Sequence, residues 1–580
     1  MAIFKLNFFK KIVGVSCLSI CFSATNFAQS VDLHNLKSYV KKESIFDYSG
    51  SITSNAIYTG GSNVSQQPFT WMLGINANIS LFKLINIPLS FTYTNLGAGY
   101  TLPQTPNRIS LSPSYKSLSS NLGYVNVSWS PYSLNGHQFL GAHLEFSPSN
   151  SPLKIAALYG RFIKAVNFDS TNKFFAGVAY NRMGGGVKVN YTKEKYFAGV
   201  SVFTAKDDPN SVSNFPIGFK NTPGQNLVAT YLLGFTPANG LNINGEFATN
   251  FLTSDIRDNT EGYKANGRFM DNFFKIRNST TTTTAGKIGV TYNVQKSNAA
   301  ISVQYERIDP NYLTYGSYFM VNDMESYTLN ITQMLFKNKL TLMLNGGKQR
   351  DDLKNNKTAA NSRTVGSVNI GFAPNPRLNT NFTYSNFTSF MFVKPIEQIY
   401  SPYPIYQTSD TANYKQINEN ASLNANYLVR DNEFMNGSLN TSLSYQNANN
   451  SIGDVVQADA ASKFYNAIVS YNQVWKKHGL TGGLSYTYNL LNLKTGQNIT
   501  QGPTISVSKS LKAINVGYGI SYISLQSPNA VNTSVLNNRL SVSFSSKKFS
   551  TQLSLVNQNR SGLTKTHDLL GNIAFSYQLK

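Results

Sequence analysis

Along most of the chain, apolar side chains recur at every second position, with small or polar residues between them. The last ten residues show the pattern plainly: Ile573, Phe575, Tyr577 and Leu579 alternate with Asn572, Ala574, Ser576 and Gln578. Successive side chains of a strand point to opposite faces, so this segment has one apolar and one polar face. Trp71, Leu73, Ile75, Ala77, Ile79 and Leu81 repeat it, and Ile85, Ile87, Leu89, Phe91 and Tyr93 supply the return strand. Pro88 lies inside that return and, lacking an N–H, predicts a bulge or a rim position. Strands of this kind follow through Ile109–Tyr115, Val125–Trp129, Leu140–Phe146 and Ile155–Phe162 to the terminus. The count is about 26, within a range of about 22 to 28.

So many long alternating strands close most simply as one all-β transmembrane antiparallel barrel, apolar outside and polar inside. A two-layer soluble β-fold is the competing reading. After residue 28 nothing reaches the ~18 apolar residues of a spanning helix. Four connections are too long for tight turns, about 206–224, 254–284, 306–326 and 388–416, and are expected to be extracellular. The second carries Phe273 and Phe274, and the last Tyr400, Tyr403 and Tyr406 among prolines. These aromatics either form a contact surface for a partner or fold back over the pore.

Composition agrees with a barrel. Charged residues are 13% and aromatics 13%, against the ~25% charged residues of soluble domains. The net charge is +23, yet no basic helix, zinc spacing or RNA-binding sheet motif points to nucleic acid. Basic loops facing anionic lipopolysaccharide, or a basic lumen favouring anions, fit better.

Lys5, Lys10 and Lys11, the apolar run Ile12 to Phe22 and Ala28 before Gln29 predict a cleaved signal peptide over residues 1–28. Cys17 and Cys21 allow a lipoprotein alternative, although Ile20 is too large for a good lipobox. Both cysteines fall in the removed segment, which leaves no disulfide, thiol catalysis or cysteine–metal site. Residues 29–44 form a short periplasmic lead, too short for a plug domain, and 45–580 the barrel.

Chemistry is sparse, and neither an enzyme activity, a cofactor nor a metal is expected. In Gly141-Ala142-His143-Leu144-Glu145-Phe146 the alternation turns His143 and Glu145 into the lumen, where a carboxylate beside an imidazole could orient a general base. No serine, second acid or oxyanion feature accompanies them, so a lumen hydrogen-bond network competes with a barrel hydrolase. Arg161, Arg182, Lys188 and Lys287, with Glu246, Glu306 and Lys509, are further lumen candidates for ion selectivity. Lys206-Asp207-Asp208-Pro209-Asn210 and Asp351-Asp352 read as solvated turns, and Gly184-Gly185-Gly186 as a flexible or bulged stretch that bulky neighbours approach.

Gly571, Phe575, Tyr577 and Leu579 resemble the C-terminal signal by which the barrel-assembly machinery recognises outer-membrane barrels, although the chain ends in Leu579-Lys580 rather than an aromatic. Pro131-Tyr132-Ser133-Leu134-Asn135-Gly136-His137 through Tyr159-Gly160-Arg161-Phe162 resemble a family of large, porin-like outer-membrane barrels from Bacteroidota, over about residues 45–235. The resemblance implies a Gram-negative cell outer membrane and contact with its lipid and lipopolysaccharide. Through its bacterial group it also implies an association with type IX secretion or gliding, and brings no catalytic residues. Two functions are expected to compete: porin-like passage of small solutes, anions among them, and a secretion- or gliding-associated barrel whose loops bind a surface or secretion protein.

Overall fold

The computed structural model describes residues 46–62, 68–95, 106–170, 177–258, 274–354, 362–390, 414–452, 455–456, 461–528, 530–562 and 564–579. The segments expected to be signal peptide and lead, with Phe273, Tyr400, Tyr403 and Tyr406, lie outside them.

Twenty-six antiparallel strands close on themselves, from Phe46–Gly61 to Thr566–Leu579, with Arg108–Leu111 and Ser114–Tyr115 as two pieces of one strand. Every pairing around the wall joins strands adjacent in sequence except the seam, where Gly50↔Leu579 through Gly61↔Asp568 bring the first strand to the last. Among the described residues the helical elements are two single 3-10 turns, Gln295–Ser297 and Lys476–His478. The expected strand count and closure are therefore found.

The outward set is apolar: Leu144, Tyr159, Val187, Val200, Leu233 and Ile288 are exposed, as are Leu484, Ile505 and Ile573 across the barrel. A closed wall with an apolar outer face pairs backbone groups strand to strand within the sheet, which is what spanning a membrane requires. This is the architecture of outer-membrane barrels. Gly571, Phe575, Tyr577 and Leu579 all stand on that outer face, in register with Tyr58, Ser54, Ile52 and Gly50.

Connections differ at the two ends. At the end that holds the C-terminus they run from two to six residues, as in Phe336–Lys339 between Leu335 and Leu340. All four long connections expected from the sequence lie at the other end: 209–224, 254–279, 309–323 and 391–413, the last outside the described residues.

Two sequence expectations are corrected here. Pro88 sits in regular register opposite Asn78, and the irregularity falls on its other neighbour, the strand broken at Ser112-Pro113. With no N–H on either proline the ladder cannot run through both strands there, and only Ser112 N–H to Pro88 O bridges the gap, at 2.8 Å. Val125–Trp129 is not a strand: Leu118–Val125 is, and the chain then leaves the wall.

Candidate functional site

That departure builds the candidate site. Residues 126–138 and 309–323 both turn into the barrel and meet as a two-residue parallel ladder, Leu134-Asn135 against Gly316-Ser317. A tight turn folds the first loop, with Trp129 and Ser130 N–H both donating to Leu134 O. Below the loops the inner wall runs Asn121–His143–Leu158–Gly186–Phe203–Val228–Asn250–Thr283 in cross-strand register. Trp129, Leu134, Phe139, Leu158, Phe162 and Phe203 form one buried apolar cluster, and Tyr132, Val228, Ala248, Ala285, Ile308 and Tyr312 another. The loops thus make a wedge with its own core against one side of the lumen.

The glycine run makes room for it. A side chain at Gly186 would come within 2.8 Å of the Trp129 ring, and one at Gly184 within 2.7 Å of the Phe162 ring. The stretch is an accommodated approach of bulky neighbours, with a register shift beside it at Arg182/Met183.

Ionised groups of the wall hold the wedge. Arg182 makes a bidentate pair with Asp207, at 2.7 and 3.0 Å, and its guanidinium lies 3.4 Å from the Tyr315 ring centroid. Asp207, read from the sequence as part of a solvated turn, is buried and also accepts Gly224 N–H at 3.0 Å. Lys188 Nζ donates to Trp129 O at 3.1 Å. Glu246, Lys287 and Glu306 are cross-strand neighbours on one inner row. Glu246 accepts the Ser130 hydroxyl and faces Lys287 Nζ at 3.4 Å, while Glu306 accepts the Tyr132 hydroxyl at 2.5 Å. Burial first, and the Glu306 carboxylate second, hold the Tyr132 phenol protonated well above its ordinary range. Asn226 and Asn250 donate to Leu313 O, and Tyr312 Oη donates to Tyr132 O at 2.8 Å, tying one loop to the other.

The sequence candidates therefore separate. Arg182, Lys188 and Lys287 do face the lumen, as fasteners of the wedge. Arg161 is a correction: it alternates with the buried Leu158 and Phe162 and shares the outer face of Tyr159, which is 63% exposed. Lys509 likewise stands on the outer face with Ile505 and Val507. Phe274 is also corrected, because it is buried against Phe251 at a centroid distance of 6.0 Å rather than offered as loop surface. His143 and Glu145 share the inner face, but the imidazole faces the Asn121 amide at 3.3 Å and lies 6.3 Å from the Trp129 ring. The arrangement of His143 among the described residues is that of a wall packed under the wedge.

Sequence reasoning missed Trp129, Tyr132, Tyr312 and Tyr315, the large aromatics that the two loops bring to the clusters. The available signal was Pro131-Tyr132 and Pro310-Asn311-Tyr312, turn-forming residues beside aromatics too few to make a strand.

His137 gives the wedge a pH dependence. Its ring stacks 4.2 Å from Tyr318 and 5.1 Å from Phe162, and burial pulls it down to about 4 from 6.5, with Arg182 adding to the effect. Between those values the unfolded chain takes up a proton that the folded loop refuses, so stability falls as pH drops. The loss reaches about 3 kcal/mol at pH 4. The protection factors of amides 126–138, taken against intrinsic exchange rates that themselves slow on acidification, are expected to fall from pH 7 to pH 4.5, and His137→Phe to flatten that response. An unchanged response in the variant would assign it to another group.

Opposite the wedge the inner wall opens into a stretch lined by amides and hydroxyls. Asn424 and Asn426 are exposed, and with Asn379, Asn381, Asn440 and Ser442 they line a groove of about 380 Å³. Asn466 bonds Asn489 at 2.5 Å, and Asn369 bonds Thr383 at 3.2 Å, continuing a ladder of amides and hydroxyls. Arg539 stands exposed on the same face.

No family model matches the chain, and neither does any curated protein. Among solved structures it is similar to the P pilus usher (PapC) translocation pore at 9% identity, over 92% of this chain and 99% of that one, with a TM-score of 0.37. It is similar to a ferric enterobactin receptor (PfeA) mutant from Pseudomonas aeruginosa at 9% identity, over 92% and 80%, with a TM-score of 0.40. For OccAB4 of Acinetobacter baumannii the figures are 10%, 66%, 97% and 0.28. At these scores the likeness carries no functional argument; the barrel assignment rests on the closed register and the apolar outer face.

Proposed function

We propose that this protein is an outer-membrane pore that passes small, neutral, polar solutes along a lane between the wedge and the opposite wall. The observation that carries this reading is the exposed amide and hydroxyl ladder around Asn424 and Asn426, which offers both donors and acceptors without fixed charge. A preference for anions was expected from the net charge. The pairing of Arg182 with Asp207 and of Lys287 with Glu246 supports weak ion selectivity instead.

The test is single-channel conductance of the refolded protein in a planar bilayer under a salt gradient, with liposome swelling in sugars. Steady conductance, a reversal potential near zero and sugar-driven swelling are expected. A silent barrel overturns this reading in favour of the secretion- or gliding-associated one. That alternative is favoured by two apolar side chains held out at the loop end, Ile217 at 93% and Phe319 at 81% exposure.

A further inference from the structure

The positive charge of the chain is not spread evenly over the barrel's two ends. The thirteen connections at the loop end carry, by sequence, thirteen lysines and arginines against thirteen acids, a net of zero. The twelve short connections at the opposite end carry twelve against two, Glu194 and Glu433, a net of +10. Nine of those twelve turns hold at least one base, so the charge forms a ring rather than a patch. The basic excess that the sequence reading placed in loops thus lies in the short turns.

Depth decides what the ring meets. The turns are too short to rise far from the wall, and aromatic side chains stand directly beside the bases. Lys116 Nζ lies 5.2 Å from the Tyr115 ring centroid, Tyr196 follows Lys195, and Trp475 precedes Lys476. Phe336, beside Lys337, is 70% exposed. Aromatics of this kind settle at the membrane–water boundary, and a lysine next to them extends its ammonium to headgroup level. Lys476 is paired to Asp431 at 3.0 Å.

We propose that this ring gathers anionic phospholipid headgroups of the leaflet at the short-turn end. An ammonium at that depth meets phosphate oxygens along the whole circumference, whereas a soluble acidic partner would have to span a rim that surrounds the lumen. Several attractions of this size act together on each lipid shell, and salt screens them.

The test reconstitutes the full-length barrel in bilayers of phosphatidylethanolamine and phosphatidylglycerol at about 3:1 and measures the lipid that stays bound after mild extraction, by mass spectrometry. Phosphatidylglycerol is expected to be enriched severalfold over its bulk share, and the enrichment to vanish in about 1 M salt. Glutamine at Lys337, Lys339, Lys476, Lys477, Lys547 and Lys548 is expected to return the bound lipid to the bulk ratio. Glutamine at Lys164, Lys220, Lys275, Lys354, Lys494 and Lys565, six bases of the loop end, is expected to leave it enriched. Heat-modified gel mobility confirms that each variant remains a closed barrel. Bulk composition around the native protein, enrichment surviving in the first variant, or equal loss in the second would each overturn the proposal.

Discussion

Replacing residues 311–321 with a short Gly-Ser linker is expected to raise the single-channel conductance severalfold while the barrel stays closed. The neck of this loop is held without its tip: Asp323 N–H donates to Asp309 O at 3.2 Å, and Asp309 also takes Thr284 N–H at 2.7 Å. Strands Ala299–Ile308 and Met324–Leu335 pair in unbroken register below it, so the hairpin needs only a linker. The deletion removes Tyr312, Tyr315 and the Gly316-Ser317 half of the ladder, so residues 126–138 lose the element that covers them. Freed wall groups, among them Asn226 and Asn250, then face water and widen the polar lane. Planar-bilayer conductance reads the result, and an unchanged value would show that the wedge does not bound the path.

The second large effect is on stability. Arg182→Met is expected to cost about 3–5 kcal/mol, because it leaves a buried carboxylate without its cation. Asp207 is only 3% exposed, and the substitution also removes the guanidinium from the Tyr315 face. Denaturant unfolding followed by gel mobility measures the loss. The double variant Arg182→Met/Asp207→Asn is expected to recover most of it, since a neutral amide can still accept Gly224 N–H. No recovery would mean that Arg182 acts through packing alone.

The barrel was legible because one physical rule, the two-residue period, governs nearly every strand and survives in segments such as Trp71–Leu81. It fails where the wedge packs. In Leu153–Ile163 the outer residues Ile155 and Tyr159 and the inner residues Leu158 and Phe162 are all apolar. With both faces apolar the phase is lost, and Arg161 is assigned inward simply for being charged. Val125, Val127 and Trp129 mimic a strand for the same reason, since they alternate toward a core rather than toward lipid. The fasteners were visible as charges, but their pairing was not. Arg182 meets Tyr315 across 133 positions of sequence, a distance that no local pattern spans.

The seam has a consequence for how the molecule is made. Around the wall each strand needs only its neighbour, so hairpins can form as the chain arrives, and the entropic cost of joining distant segments is concentrated in one place. Until Thr566–Leu579 reaches Phe46–Gly61, the growing sheet carries two bare edges inside a medium that cannot satisfy them. Closure therefore waits on the final strand, and a chain cut short before it is expected to keep two bare edges however well its other twenty-five strands have paired.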